Sequence, residues 1–399
     1  MAIKDFRNQS IKNKTVNIKK KNKTQNTEQL NKNDLLWITF ILAATLVFYF
    51  PTFKNNFVYW DDNNYILNNP FIYSLGAKNL INIFSSFFMA NYHPLTMLSY
   101  AIEYSIAGAS PFLYHFTNVL LHLLNTVLVF IFVRRLFLMI DQTAFRKTGL
   151  VITVITALLF GLHPLHVESV SWISERKDVL YTFFFLLASI KYLQYISTQK
   201  PVHYFITIVL FLLSLLSKGM AVSFSVCIIA IDFVLKRDLL SGKVIVEKIP
   251  FLILSLFFGI VAIYAQKSAD TIIESIHLSM WDKISFASYA LIQYFIKLIV
   301  PYKLVHFYPY PYMINGEFPG YYYYFPIILI TGACIIVYLI RKSRIIIFGL
   351  LYFIINIFLV LRLVPLGDTI MADRYTYLSS IGIFIIIAIF FNYLLVKYL

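Results

Sequence analysis

The sequence predicts an all-α polytopic membrane protein, and three observations predict it. Hydrophobic residues make up 59% of the 399 and charged residues only 13%, whereas water-soluble domains run at roughly 45–50% apolar and about 25% charged. Mean hydropathy is +0.73. Apolar runs such as Trp37 to Phe50, Phe205 to Leu216 and Ile381 to Phe391 recur, and with their flanks they reach the roughly 20 residues a bilayer core requires. Spans of this kind must be helices, because an unpaired backbone group in lipid costs several kcal/mol.

The first 33 residues are of the opposite kind, rich in Lys, Asn, Gln and Thr, with Lys19, Lys20, Lys21 and Lys23 close together. They read as a disordered basic cytoplasmic arm. The apolar stretch after them is long and ends in Phe50, Pro51 and Thr52 rather than at a small-residue cleavage site, so it reads as an uncleaved anchor. The net charge of +15 sits largely in this arm and in short loops between spans. That pattern is membrane orientation by the positive-inside rule and does not call for nucleic acid. Cys227 and Cys334 lie in apolar runs without ligand spacing and read as packing residues.

With the arm inside, span one (about 35–53) delivers 54–111 as the first outer loop. Span two (about 112–133) returns to Arg134 and Arg135, and span three (about 149–163) leaves after Arg146 and Lys147. Span four (about 179–197), span five (about 203–216) and span six (about 220–235) follow, with Lys218 at the third outer turn and Lys236 and Arg237 inside. Span seven (about 249–265) leads out to the region 266–322, where 281–300 reads as an interfacial or re-entrant helix, since a full span there would put Arg341, Lys342 and Arg344 outside. Spans at about 323–340, 345–361 and 376–396 complete a model of about ten spans with both ends inside.

In this topology the unusual polar residues collect on one face. Asp61 and Asp62 lie in the first outer loop, which closes at His93; His166, Glu168, Glu175, Arg176, Lys177 and Asp178 fill the second, Lys218 sits in the third, and Asp373, Arg374 and Tyr375 in the last. Ionisable groups near a membrane core are costly and mark function or pair with one another. A carboxylate can take the proton of an acceptor hydroxyl, and Arg176, Lys177, Lys218 and Arg374 can hold a phosphate and the charge that grows on it. Each feature also has a bland reading. Paired Asp residues in a loop are more often turn or cap residues than a base, Glu175 to Asp178 is compatible with a self-neutralised helix start, and His166 with Glu168 supplies too few ligands for a metal site. His115, Asn118, His122 and Asn125 share one helix face, for which hydrogen bonding between helices is the simpler reading.

Seven stretches carry a family resemblance: YWDDNNYILNN (59–69), YHPLTMLSY (92–100), HFTNVLLHLLN (115–125), FGLHPLHVESVSWISERKDVL (160–180), LLSKGMAV (215–222), HFYPYP (306–311) and MADRYTYL (371–378). They resemble the membrane part of the transmembrane O-mannosyltransferases with tetratricopeptide repeats, in the GT-C glycosyltransferase superfamily, in a bacterial relative lacking the repeats. The resemblance implies a GT-C transmembrane domain over 34–399. It implies inverting transfer of a sugar, often mannose, from a polyprenyl-phosphate donor to a hydroxyl acceptor outside a bacterial cytoplasmic membrane. Asp61 or Asp62 would be the base, without saying which; Arg176, Lys177, Lys218 and Arg374 would bind the donor phosphate; and His93, His166, Glu168, Glu175, Asp178, Asp373 and Tyr375 would shape the site. A protein acceptor is expected, with a lipid or glycan acceptor and a lipid-linked-sugar transporter as the alternatives. A divalent metal, with His166 and Glu168 as its candidates, stays open.

Overall fold

The computed structural model describes residues 30–268, 278–313, 317–361, 363 and 369–398, except the side chains of 144, 146 and 147. Residues 1–29 of the expected basic arm, and parts of the 266–322 region, lie outside the described residues. The chain divides into two units, Met1–Phe40 and Ile41–Leu399. In the first, Asn31 and Asp34 cap the start of a helix reciprocally, each backbone N–H reaching the other's side chain at 2.9 Å. All later helices belong to the second.

The described chain is helical, and every stretch read as a span is helix. In order these are α1 (Lys32–Tyr49), α2 (Ala77–Ser85), α3 (Pro94–Ala107), α4 (Pro111–Ile140), α5 (Leu150–Leu162), α6 (Val167–Ser171), α7 (Arg176–Thr198), α8 (Pro201–Ser217), α9 (Phe224–Val234), α10 (Gly242–Lys267), α11 (Met280–Ile299), α12 (Phe325–Ile340), α13 (Arg344–Ile357) and α14 (Thr376–Tyr398). Among the described residues six helices are long and apolar enough to cross a membrane, or seven if α5 and the bent piece Pro164–Ser171 form one span, and Pro201–Ser217, Gly219–Val234 and Arg344–Val360 are shorter apolar helices. The protein is an all-α, multi-pass membrane protein. The helix α11 is not among those apolar enough to cross.

Local sequence sets the helix ends. Pro94, Pro111 and Pro201 open α3, α4 and α8 at the first turn, where a missing N–H costs nothing. Gln199 takes left-handed φ 54° after α7, and with Lys200 it turns the chain straight into α8. The helices α7 and α8 pack closely, as do α4 with α7, α5 with α14, and α13 with α14. At the last crossing a Cβ on Gly382 would lie 2.1 Å from the Gly349 carbonyl oxygen, so only glycine permits that approach.

Polar contacts match the bland reading of the α4 face at Asn118, His122 and Asn125, though not at His115, whose ring nitrogens have no hydrogen-bond partner among the described residues. His122 meets the Tyr377 hydroxyl at 2.8 Å, Asn125 donates to the Val179 carbonyl at 2.8 Å, and Asn118 donates to the Trp172 carbonyl at 3.1 Å. Apolar side chains such as Ile327, Ile330 and Leu339 of α12 remain exposed, which suits lipid and would be an aggregation liability in water. One departure from all-helical structure matters. Tyr308–Pro309 pairs antiparallel with Thr369–Met371, a two-stranded clip that brings the HFYPYP stretch against the MADRY stretch.

Charges gather at both ends of these helices. At the end away from the expected site, Asp232, fully buried, receives Arg237 at 3.1 Å, Lys248 at 2.6 Å and the Tyr192 hydroxyl at 2.9 Å, while Glu247 takes Arg237 at 2.7 Å and Tyr195 at 2.7 Å. This closed network ties α7, α9 and α10 together. Replacing Asp232 by Ala takes the close carboxylate from Lys248 and leaves Arg237 with Glu247 alone, and the expected result is a loss of about 3 kcal/mol of stability, read as a lower midpoint for thermal unfolding in detergent with activity per folded molecule retained.

Candidate active site

The site grows from one stretch of chain. After α5 ends, the His163 ring accepts the Leu165 N–H at 3.3 Å and Pro164 starts a single tight turn. The axis bends by 49° into α6, Trp172 is extended, Ile173–Glu175 makes a second tight turn, and α7 begins at Arg176. Two turns within a dozen residues place Glu168, Glu175, Lys177 and Asp178 together, where a single helix would have spread them around its circumference. The clip of Tyr308–Pro309 on Thr369–Met371 then sets Asp373, Arg374 and Tyr375 against them.

Ion pairs define the resulting cluster. Arg374 lies 2.5 Å from Glu168 and 3.3 Å from Glu175, and its backbone N–H also reaches Glu168 at 2.9 Å. Lys177 is 3.2 Å from Glu175. Lys218 is paired closely with Asp178 and lies 3.9 Å from Glu175. Ser169 bridges Asp178 at 3.2 Å and the Arg374 carbonyl at 3.3 Å. Each of these three cations also faces an aromatic ring: Lys177 over Tyr65, Lys218 over Tyr375 and Tyr181, Arg374 over Trp172 and Tyr375. Such rings stabilise a cation with little hydration while leaving its N–H groups available. Asp373 accepts the Tyr308 hydroxyl at 2.9 Å, which fixes the clip to the site.

The two aspartates of the first loop have different surroundings. Asp62 is fully buried; one oxygen accepts the Val58 N–H at 2.9 Å, and the other accepts the Ser174 N–H at 2.9 Å and the Ser174 hydroxyl. It braces the first loop to the turn before α7. Asp61 is half-buried and has no hydrogen-bond partner among the described residues. Burial holds its carboxyl above the ordinary carboxylate range, Lys177 pulls it back, and Glu175 pushes the same way as burial.

Not every expected residue joins the cluster. Arg176 is fully buried and committed to scaffold contacts, with Asn118 at 2.6 Å, Glu103 at 2.6 Å, Ser99 at 3.3 Å and the Tyr114 carbonyl at 2.8 Å. It does not join the other expected phosphate ligands: adjacent residues on a helix point about 100° apart, and Lys177 faces the cluster while Arg176 faces α3 and α4. His166 is likewise in the core, bonded to the Phe160 carbonyl at 2.8 Å and the Ser380 hydroxyl at 3.1 Å. Both its ring nitrogens are thus engaged within the core. No group of three or more His, Cys, Asp or Glu that could hold a metal occurs among the described residues. His93 adjoins the cluster, and burial, then Lys177 and Lys218, pull its imidazole down to about 3, so it is neutral near pH 7.

A cavity of about 580 Å³ opens beside the cluster, walled by Trp60, Leu165, Val167, Trp172, Val305 and His306, with Glu168 and Asp373 as its charged lining. Trp60 packs edge-on against His306, with ring centroids 4.7 Å apart. Sequence reasoning assigned no role to Trp60, Ser174, Tyr308 or Glu103. For the first three the signal was present, since all sit inside the recognised stretches; Glu103 has no mark beyond being an acid in an apolar run.

The fold and the cluster define a multi-pass membrane protein with a buried, mixed-charge site at one end of its helices. The chain is 33% identical over 162 residues to the human protein O-mannosyl-transferase TMTC1, a match covering 38% of this chain and 17% of that relative. It is 30% identical over 204 residues to Tmtc1 of Drosophila melanogaster, covering 49% of this chain and 22% of the relative, and 36% identical over 112 residues to human TMTC2, covering 27% and 12%. Less than a quarter of each of these relatives is matched. No family description matches the chain, and no solved structure does. The resemblance to transmembrane O-mannosyltransferases is thus carried by relatives that bear that name.

The difference between the aspartates has a measurable consequence. Asp62→Ala leaves three donors without their charged acceptor and is expected to cost on the order of 3 kcal/mol, whereas Asp61→Ala is expected to shift stability by less than about 1 kcal/mol. Thermal unfolding of both variants in detergent checks it.

Proposed function

We propose that the chain is a glycosyltransferase that moves a sugar, mannose by analogy with its relatives' names, from a polyprenyl-phosphate donor to a hydroxyl of a protein acceptor. The site would face the outside of a bacterial cytoplasmic membrane. The observation that carries this reading is a carboxylate with no hydrogen-bond partner among the described residues, Asp61, facing Lys177 and Arg374 of a cluster whose three cations, Lys218 included, are each backed by a ring.

In this reading Asp61 takes the proton of the acceptor hydroxyl as its oxygen attacks the anomeric carbon. The bond from that carbon to the phosphate oxygen breaks, and the electron pair stays on the polyprenyl phosphate. Lys177, Lys218 and Arg374 stabilise the charge that grows there. A single displacement from the opposite face inverts the anomeric centre. The apolar walls of the cavity suit an isoprenoid chain or the apolar flank of an acceptor, and its volume falls in the range of about 300–1,000 Å³ common for ligand pockets. A metal is not needed to balance this step.

Two measurements test the reading. With radiolabelled polyprenyl-phosphate mannose in lipid, Asp61→Asn is expected to lower transfer by about 10²-fold or more, the usual contribution of a general base, while unfolding as the parent does. The base works only when deprotonated, and burial raises the Asp61 carboxyl above its ordinary range. Activity should therefore fall on acidification at a higher pH than an unperturbed aspartate would give, and the residual activity of Asp61→Asn should lack that acid limb. Full activity in Asp61→Asn would remove the assignment.

A further inference from the structure

Three cations converge on one carboxylate and share it. Glu175 is 1% exposed; one oxygen lies 3.2 Å from Lys177 and 3.3 Å from Arg374, and the other lies 3.9 Å from Lys218 without a hydrogen bond. Arg374 and Lys218 have closer carboxylates elsewhere, Glu168 at 2.5 Å and Asp178. Glu175 is thus the anion that all three cations share, while Glu168 and Asp178 anchor Arg374 and Lys218 from outside. Its neighbour His93 is 3% exposed, yet both ring nitrogens lack a hydrogen-bond partner. The first turn of α3 puts it there: Thr96 donates to the Ser217 carbonyl at 2.9 Å, next to Lys218. A buried imidazole with no partner leaves a hydrogen bond unmade at real cost, which a ligand oxygen would recover.

We propose that Glu175 is a resident counter-anion that stands where a phosphate monoester or diester binds. It holds Lys177, Lys218 and Arg374 together in the empty protein and yields them when phosphate arrives, and His93 donates its ring N–H to a phosphate oxygen. Without Glu175 three positive charges would repel within a few ångströms of one another in a poorly screened site. With it, an entering phosphate competes against an internal carboxylate, which keeps the lipid-phosphate product from binding tightly after transfer. The inference rests on the proposed lipid-phosphate donor.

Binding of farnesyl phosphate to the full chain in detergent tests it, with farnesol as the phosphate-free control. Glu175→Gln is expected to bind farnesyl phosphate about tenfold more tightly than the parent, and His93→Ala about tenfold more weakly, with His93→Gln restoring part of the loss. Farnesol should bind all of them alike. Equal or weaker binding by a folded Glu175→Gln overturns the resident-anion role; should that variant not fold, unchanged binding by His93→Ala overturns the phosphate site. If the folded parent does not prefer farnesyl phosphate over farnesol, the lipid-phosphate donor falls, and this inference with it.

Discussion

A charge at the end of a membrane helix has little water to screen it, so it must be balanced by another charge within a few ångströms. Glu175 is where that requirement is met at the site end: Lys177, Lys218 and Arg374, drawn from three parts of the chain, face it together. Around it the structure is closed by groups that are themselves tied down, Glu168 and Asp178 by ion pairs and Ser169 by a bridge to both sides. Asp61 is the exception, a carboxylate brought beside this cluster by the brace of its neighbour Asp62 on Ser174. A rigid partner next to an uncommitted one is the arrangement that lets a single group do chemistry without the loop moving.

The same balance is solved differently at the other end. There Asp232, Glu247, Arg237 and Lys248 pair closely and Tyr192 and Tyr195 add their hydroxyls, so no member is left over. Two clusters of similar composition therefore differ in what they leave unused. One is a staple between helices. The other keeps a carboxylate without a hydrogen-bond partner among the described residues, a second that three cations share, and an imidazole whose ring nitrogens have none.

Much of the fold was legible, because period and apolarity are local properties of the sequence. The spans are helices where runs such as 205–216 and 381–391 put them, and the α4 stripe of His122 and Asn125 binds neighbouring helices as spacing suggested. The site was legible as a set of residues and not as a set of roles. Asp61 and Asp62 look alike in sequence, and only the turn at Ile173–Glu175 makes one a brace. Arg176 and Lys177 differ by one helical step, and the direction of α7 decides which cation meets the cluster. The clip between 308–309 and 369–371 joins segments about 60 residues apart, a pairing that no local pattern announces. Asp232 lay unnoticed in an apolar run because its partners come from α7 and the start of α10.

The central claim is a single displacement at the anomeric carbon, with Asp61 as base and lipid phosphate as leaving group. The anomeric configuration of the product tests it most directly. Starting from a β-linked polyprenyl-phosphate mannose and an acceptor peptide, nuclear magnetic resonance of the product should show an α-linked sugar on a hydroxyl side chain. A β-linked product would mean two displacements, which one uncommitted carboxylate in this role does not explain, and would contradict the account.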